Sequence, residues 1–278
     1  MLPVYKYGIH DIVTVESDLL KTNYVDMCLV PYETINHIYT LEYKFKDKRM
    51  SNLTKVENPI KFDDIRSNLN KLSKKTYNIH FKYIISSIHF LNDQNTPDLF
   101  LLVFRHLSTN IFMSEPYAKL NNALVHIFPQ YETLFYKQFS DFIAEISQIS
   151  IAKTSTYDEM CQTNKKKDSY RAQTAFYMES FIASGDFERV QQMIVAFQNY
   201  VMTNIEIQNK RDEVEVLCDL IYLCFTSNIN LRNLCEIKTI VSNNDNIISK
   251  KENKTIGRRI IFKHMDMHDI FVKQGIKL

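Results

Sequence analysis

From about residue 60 to residue 271, apolar side chains recur at three- and four-residue steps, and no alternating stretch intervenes. A chain patterned in this way can bury its stripes only by laying helix on helix. Phe62, Ile65, Leu69 and Leu72 form one stripe, Phe187, Val190, Met193, Ile194 and Phe197 a second, and Val214, Leu217, Leu220, Ile221 and Cys224 a third. The periodicity predicts helices over 62–72, 77–92, 97–113, 117–127, 130–150, 168–184, 187–205, 212–226, 229–243 and 255–271. Only 4 glycines and 6 prolines punctuate 278 residues, which suits long helices and short turns. Several of the punctuating residues stand at helix ends. Thr96-Pro97-Asp98 reads as an N-cap, a first-turn proline and a first-turn acid. Glu115-Pro116 and Phe128-Pro129 each stop one helix and open the next, and Ser184-Gly185-Asp186 ends a helix and caps its successor. Ten helices without strands read as an all-α fold, an α-solenoid of about five stacked antiparallel helix pairs over 59–274. The stretch from Ile151 to Lys167 lacks periodicity and is expected to be a mobile loop.

Residues 1–58 differ. Tyrosines stand at 5, 7, 24, 32, 39 and 43 with little helical pattern, and Tyr39, Leu41, Tyr43 and Phe45 alternate as a strand would. One such strand cannot fold alone, so the region reads as an extended tail ordered mainly by a partner.

Composition narrows the function classes. Hydrophobic content of 45% with 12% aromatics can fill a sizeable core, and a formal charge of +2 leaves no whole-molecule field to attract nucleic acid. The 5 cysteines are odd in number and lack C-x-x-C spacing, so reduced thiols in a reducing compartment are expected. No apolar run matches a signal peptide or a membrane span, so the expectation is a cytoplasmic protein, of cellular or viral origin, that meets no membrane. None of the glycine-rich, nucleophile-elbow or metal-binding motifs is found, so no cofactor or metal is expected and the chain is not read as an enzyme. His264 and His268, near Asp266 and Asp269, have one-turn spacing that could grip a metal, a remote alternative beside incidental placement.

The string Ile65-Arg66-Ser67-Asn68-Leu69-Asn70-Lys71-Leu72, followed by Ser73 and Tyr77, closely resembles the opening helix hairpin of the middle domain of translation initiation factor 4G, a stack of HEAT-type helix pairs. In that family I-R-x-x-L-N-K-L precedes a small hydroxyl residue and an aromatic. Later segments agree in order. Tyr117-Ala118 with Leu120 and Leu124 is similar to an A-Y-A helix, although Pro116 replaces its first small residue. Val216 to Ile221 resembles L-E-C-L-C-x-L-L, and Arg258 to Phe262 with Asp266 and Asp269 is similar to S-R-I-R-F-M-L-x-D-V-x-D-L, although Ile261 stands for an arginine. In the tail, Tyr24, Leu29 and Val30 fit the pattern by which factor 4G docks on the cap-binding protein, factor 4E. Tyr7, Ile12 and Val13 are a looser copy.

The resemblance implies a translation-initiation scaffold, monomeric within a hetero-complex. Its helical domain would bind a DEAD-box RNA helicase resembling factor 4A, through Leu69, Leu72 and Tyr77 at one end and Arg259, Phe262 and Asp266 at the other. For both leucines, plain core positions are the alternative; for the second group it is a solvated last helix. The tail would bind the cap-binding protein. Burying Tyr24, Leu29 and Val30 would yield roughly 1.5–3 kcal/mol each, less an ordering cost of about 2–5 kcal/mol. Lys165, Lys166, Lys167, Lys254 and Arg258 could touch the mRNA backbone or form a solvated basic face. Adaptors of nuclear cap binding, splicing or decay share the domain but lack the tail motif.

Overall fold

Element order follows from local signals that a single stripe cannot carry. The computed structural model describes residues 61–94, 98–151, 156–227 and 229–276, and among these every regular element is helical. In chain order the helices are α1 (Phe62–Lys71), α2 (Tyr77–Asp93), α3 (Leu99–Leu107), α4 (Ser114–Ile127), α5 (Pro129–Ser147), α6 (Tyr157–Ser184), α7 (Phe187–Asn204), α8 (Arg211–Thr226), α9 (Ile237–Ser249) and α10 (Arg258–Lys273). They lie in two rows. Members α2, α4, α6, α8 and α10 each pack on the next, and α1, α3, α5, α7 and α9 do the same. Ten packed helices in two rows are compatible with an α-solenoid.

The expected start and stop signals hold at two junctions. Pro129 opens α5 at its first turn, where a missing N–H costs nothing. Gly185 closes α6 at φ +75°, and the Asp186 carboxylate then accepts from the Arg189 N–H to cap α7. At Asp98 the expectation is corrected: the residue is not in the first turn but is itself the N-cap of α3, at φ +61°. Thr96 and Pro97 lie outside the described residues.

Among the further boundaries that differ from the periodicity, three are explained by short polar caps. The expected helix 97–113 ends at Leu107, and Asn110 instead caps a separate 3₁₀ turn, its side chain accepting from the Phe112 N–H at 3.0 Å. The expected start near residue 229 gives way to a second 3₁₀ turn capped in the same way by Asn230, with α9 beginning only at Ile237. The expected loop Ile151–Lys167 is largely helical. Thr156 and Glu159 form a reciprocal capping box that starts α6 at Tyr157. Its first three turns face solvent on nearly every side, so no apolar stripe could have announced them.

Buried aromatic rings cluster where α3, α5 and α6 meet. Phe104, Phe135, Phe139, Phe142, Phe176, Tyr177 and Phe181 are buried, with neighbouring rings in tilted, stacked and edge-on contacts at 4.8–6.3 Å. One polar seam crosses this region. The Tyr131 hydroxyl donates to Asn121 Oδ1 at 2.9 Å, and the Asn121 amide reaches Ser180 on α6 at 3.4 Å.

Candidate functional site

The last helix carries most of the expected contact residues, and its inner and outer faces are chemically distinct. Gly257 precedes α10 with the Arg211 guanidinium lying across it, 2.7 Å from where a Cβ would stand. Inward, Ile260, Ile261, His264, Met267 and Phe271 pack on α8 and α9. Outward, Phe262 is 61% exposed, Met265 46% and Val272 59%, with Asp266 and Asp269 exposed among them. An apolar stripe on a solvent face is worth explaining, because isolated exposed side chains are ordinary and aligned ones are not.

Beside that face, α10 is tied to α8 and α6 by a charge hub. Asp219, only 16% exposed, receives Arg259 at 2.9 Å, Arg171 at 3.3 Å and Lys263 at 3.6 Å. Glu215 receives Arg211 at 3.1 Å and Arg259 at 3.6 Å. A groove of about 320 Å³ opens over these pairs, with Lys167 and Asp168 of α6 on its rim. Arg259 therefore bridges two helices of its own chain rather than standing free for a partner.

His264 is fully buried, and burial pulls its pKa down to about 4. The Asn244 amide donates to the His264 carbonyl at 3.1 Å, so Asn244 Oδ1 is the acceptor for Nδ1–H at 2.8 Å. That tautomer leaves Nε2 to receive the Cys218 thiol at 3.5 Å. Cys, His and Asn thus line up in the order of a hydrolytic triad. Burial, however, raises the Cys218 thiol pKa while lowering that of His264, which opposes the thiolate–imidazolium pair such chemistry requires. The three residues bind α8, α9 and α10 together. His268 points elsewhere, to Asp245 Oδ1 at 2.9 Å, so the one-turn spacing of the two histidines does not make a shared ligand pair. Among the described residues no three His, Cys, Asp or Glu side chains converge as a metal site.

At the other end, the structure places Leu69, Leu72 and Tyr77 in the interior, which is the plain core alternative for the two leucines. Leu69 and Leu72 are fully buried and Tyr77 nearly so, stacked on Phe81 at 5.4 Å. The Leu69 carbonyl accepts the Tyr117 hydroxyl of α4. These are core positions. The surface of α2 is instead made by Ile79 (72% exposed), Tyr83 (44%) and Phe90 (38%). Sequence reasoning missed these three, as it missed Met265 and Val272. The signal was present, since 79, 83 and 90 form a second apolar stripe opposite Tyr77, Ile84, Ile88 and Leu91.

Among the basic candidates, Lys165 and Lys166 are exposed on α6, Lys166 reaching the Ser150 carbonyl at 3.4 Å, while Lys167 joins Arg259 at the groove. Lys254 and Arg258 are exposed at the start of α10. The docking candidates Tyr7, Ile12, Val13, Tyr24, Leu29 and Val30 lie outside the described residues. No helix among the described residues is long and apolar enough to cross a membrane. No family model, curated protein or solved structure matches this chain.

Proposed function

We propose that the chain is a translation-initiation scaffold whose two helical rows form HEAT-like pairs and whose α10 face holds a DEAD-box RNA helicase of the factor 4A kind. The observation that carries this reading is the outward stripe of Phe262, Met265 and Val272 around Asp266. It coincides with the segment whose sequence resembles the family's second contact region, and it offers a partner apolar area together with unpaired carboxylates. Covering the three apolar side chains would supply about 1.5–3 kcal/mol each, from which the cost of association is subtracted. A rigid helical body that binds one arrangement of the helicase lobes better than another shifts the helicase toward it, by no more than the difference in affinities. The scaffold contributes geometry and the helicase hydrolyses ATP. The cap-binding protein would be tethered through Tyr24, Leu29 and Val30, which raises the local concentration of mRNA at the helicase.

The burial of Leu69, Leu72 and Tyr77 moves the proposed first contact onto Ile79 and Tyr83, which are exposed on α2. Phe262→Ala with Asp266→Ala should cut helicase capture at least about tenfold while leaving the helical spectrum unchanged. Capture equal to wild type would overturn the α10 reading. Tyr24→Ala with Leu29→Ala should separately abolish capture of the cap-binding protein. If neither that variant nor one altered at Tyr7 and Ile12 loses it, the chain is better read as an adaptor in another mRNA process.

A further inference from the structure

Among the described residues, α2 and α10 are the first and last members of one row, and each carries exposed apolar side chains on the face turned away from its described neighbours. Stacked helical proteins ordinarily finish with a polar outer face, because an apolar one invites the next unit. Here both terminal faces are apolar, and each also carries charges of both signs. Around the α2 stripe, Lys75 and Lys82 are exposed and make no ion pair among the described residues. Along the α10 stripe, Asp266 and Asp269 are exposed together with the cations Arg258 and Lys273, and the two carboxylates make no ion pair among the described residues.

The two faces also agree in spacing. Along α2, the outward positions beside Tyr83 include Ile79, Lys82, Ser86, Phe90 and Asp93. Read in the reverse direction, the outward positions of α10 are Val272, Asp269, Met265, Phe262 and Arg258. Both series advance in steps of three and four residues, so two helices laid antiparallel keep them in register to within one residue over roughly 20 Å. In that register Ile79 meets Val272, Lys82 meets Asp269, Ser86 gives room to Met265, Phe90 meets Phe262, and Asp93 meets Arg258. The parallel alternative is worse. It sets Lys75 against Arg258 and leaves Lys82 facing Met265.

We propose that the chain associates head to tail with a second copy of itself, the α10 face of one copy seating antiparallel on the α2 face of the next. The contact joins two different surfaces, so it does not close on itself as a two-fold dimer would. Each bound copy still offers one free face of each kind, and the assembly grows as a ring or an open filament. This inference does not depend on the helicase reading. It does use the same Phe262 face, so a bound helicase and a second copy would compete for it.

The test uses the full chain alone, followed by sedimentation velocity across a wide range of concentrations. Wild type should sediment as a concentration-dependent series beyond the monomer. Lys82→Glu and Asp269→Lys, each exposed and outside the core, should separately weaken association about tenfold, as expected when a facing pair becomes like-charged. An equimolar mixture of the two variants restores an attractive pair at every junction and should regain wild-type association within about threefold. Phe262→Ser should weaken association without any rescue by the charge variants. A wild-type chain that stays monomeric throughout would overturn the proposal and leave both faces to foreign partners. So would a mixture no more associated than its components. Loss of helicase capture in the Phe262 and Asp266 variant has no bearing on these outcomes.

Discussion

The α1–α2 hairpin and the α8–α9–α10 corner are built from similar amphipathic helices, yet they dispose of similar residues in opposite ways. At the hairpin, Leu69 and Leu72 are fully buried, and the turn is held locally, the Thr76 hydroxyl donating to the Lys71 carbonyl at 2.6 Å. At the corner, apolar Phe262 is left in solvent, and polar groups do the interior work: His264 between Asn244 and Cys218, and Asp219 among three cations. The hairpin depends on shape and the corner on directed hydrogen bonds. An apolar residue type therefore reveals little about which face of a stack it occupies, because a terminal helix has one neighbour fewer to turn toward.

Substitutions can break that contrast, and the largest effect belongs to the hairpin. Leu69→Ala or Leu72→Ala should destabilise the fold by about 2–5 kcal/mol in urea denaturation, since each leaves a cavity that packed neighbours fill only in part. A change below about 0.5 kcal/mol would mean that these leucines face a partner after all.

The corner should answer to pH. His264 titrates near 4 when folded and near 6.5 when unfolded, so the unfolded chain binds the extra proton first. Its contribution is present above pH 6.5 and is lost as pH falls toward 4, by up to about 3 kcal/mol. Comparison of urea midpoints at pH 7 and pH 4.5 with those of His264→Gln isolates this slope from the carboxylates, and equal slopes would contradict it.

A smaller effect is expected at the charge hub. Asp219→Asn should cost about 1 kcal/mol at low salt and less at high salt, because its cationic partners are partly solvated. Smallest of all, Phe262→Ala should shift stability by no more than about 0.5 kcal/mol while still reducing association with a second copy or a helicase. A large loss of stability there would place Phe262 in the core and erase the difference between the two ends.

Much of this was legible along the chain. The stripe Phe62, Ile65, Leu69, Leu72 placed α1, and Phe128-Pro129 and Ser184-Gly185-Asp186 marked helix boundaries where the structure has them, because caps and turn residues act over a few positions. The first turns of α6 and the Asn-capped 3₁₀ turns were not legible, because a solvated helix has no stripe and one asparagine resembles any loop residue.

The sequence by itself determined that the chain forms amphipathic helices, and it placed Phe262, Asp266 and Arg259 together on one late helix. Only the tertiary structure decided that Leu69 and Leu72 lie inside, that Arg259 is held by Asp219 and Glu215, that the buried face of α2 is the one bearing Tyr77, and that Ile79, Tyr83 and Phe90 are left outside. Helical periodicity arises from bonds four residues apart. Which of two apolar stripes is buried depends on neighbours dozens of residues away, and local spacing carries no record of them.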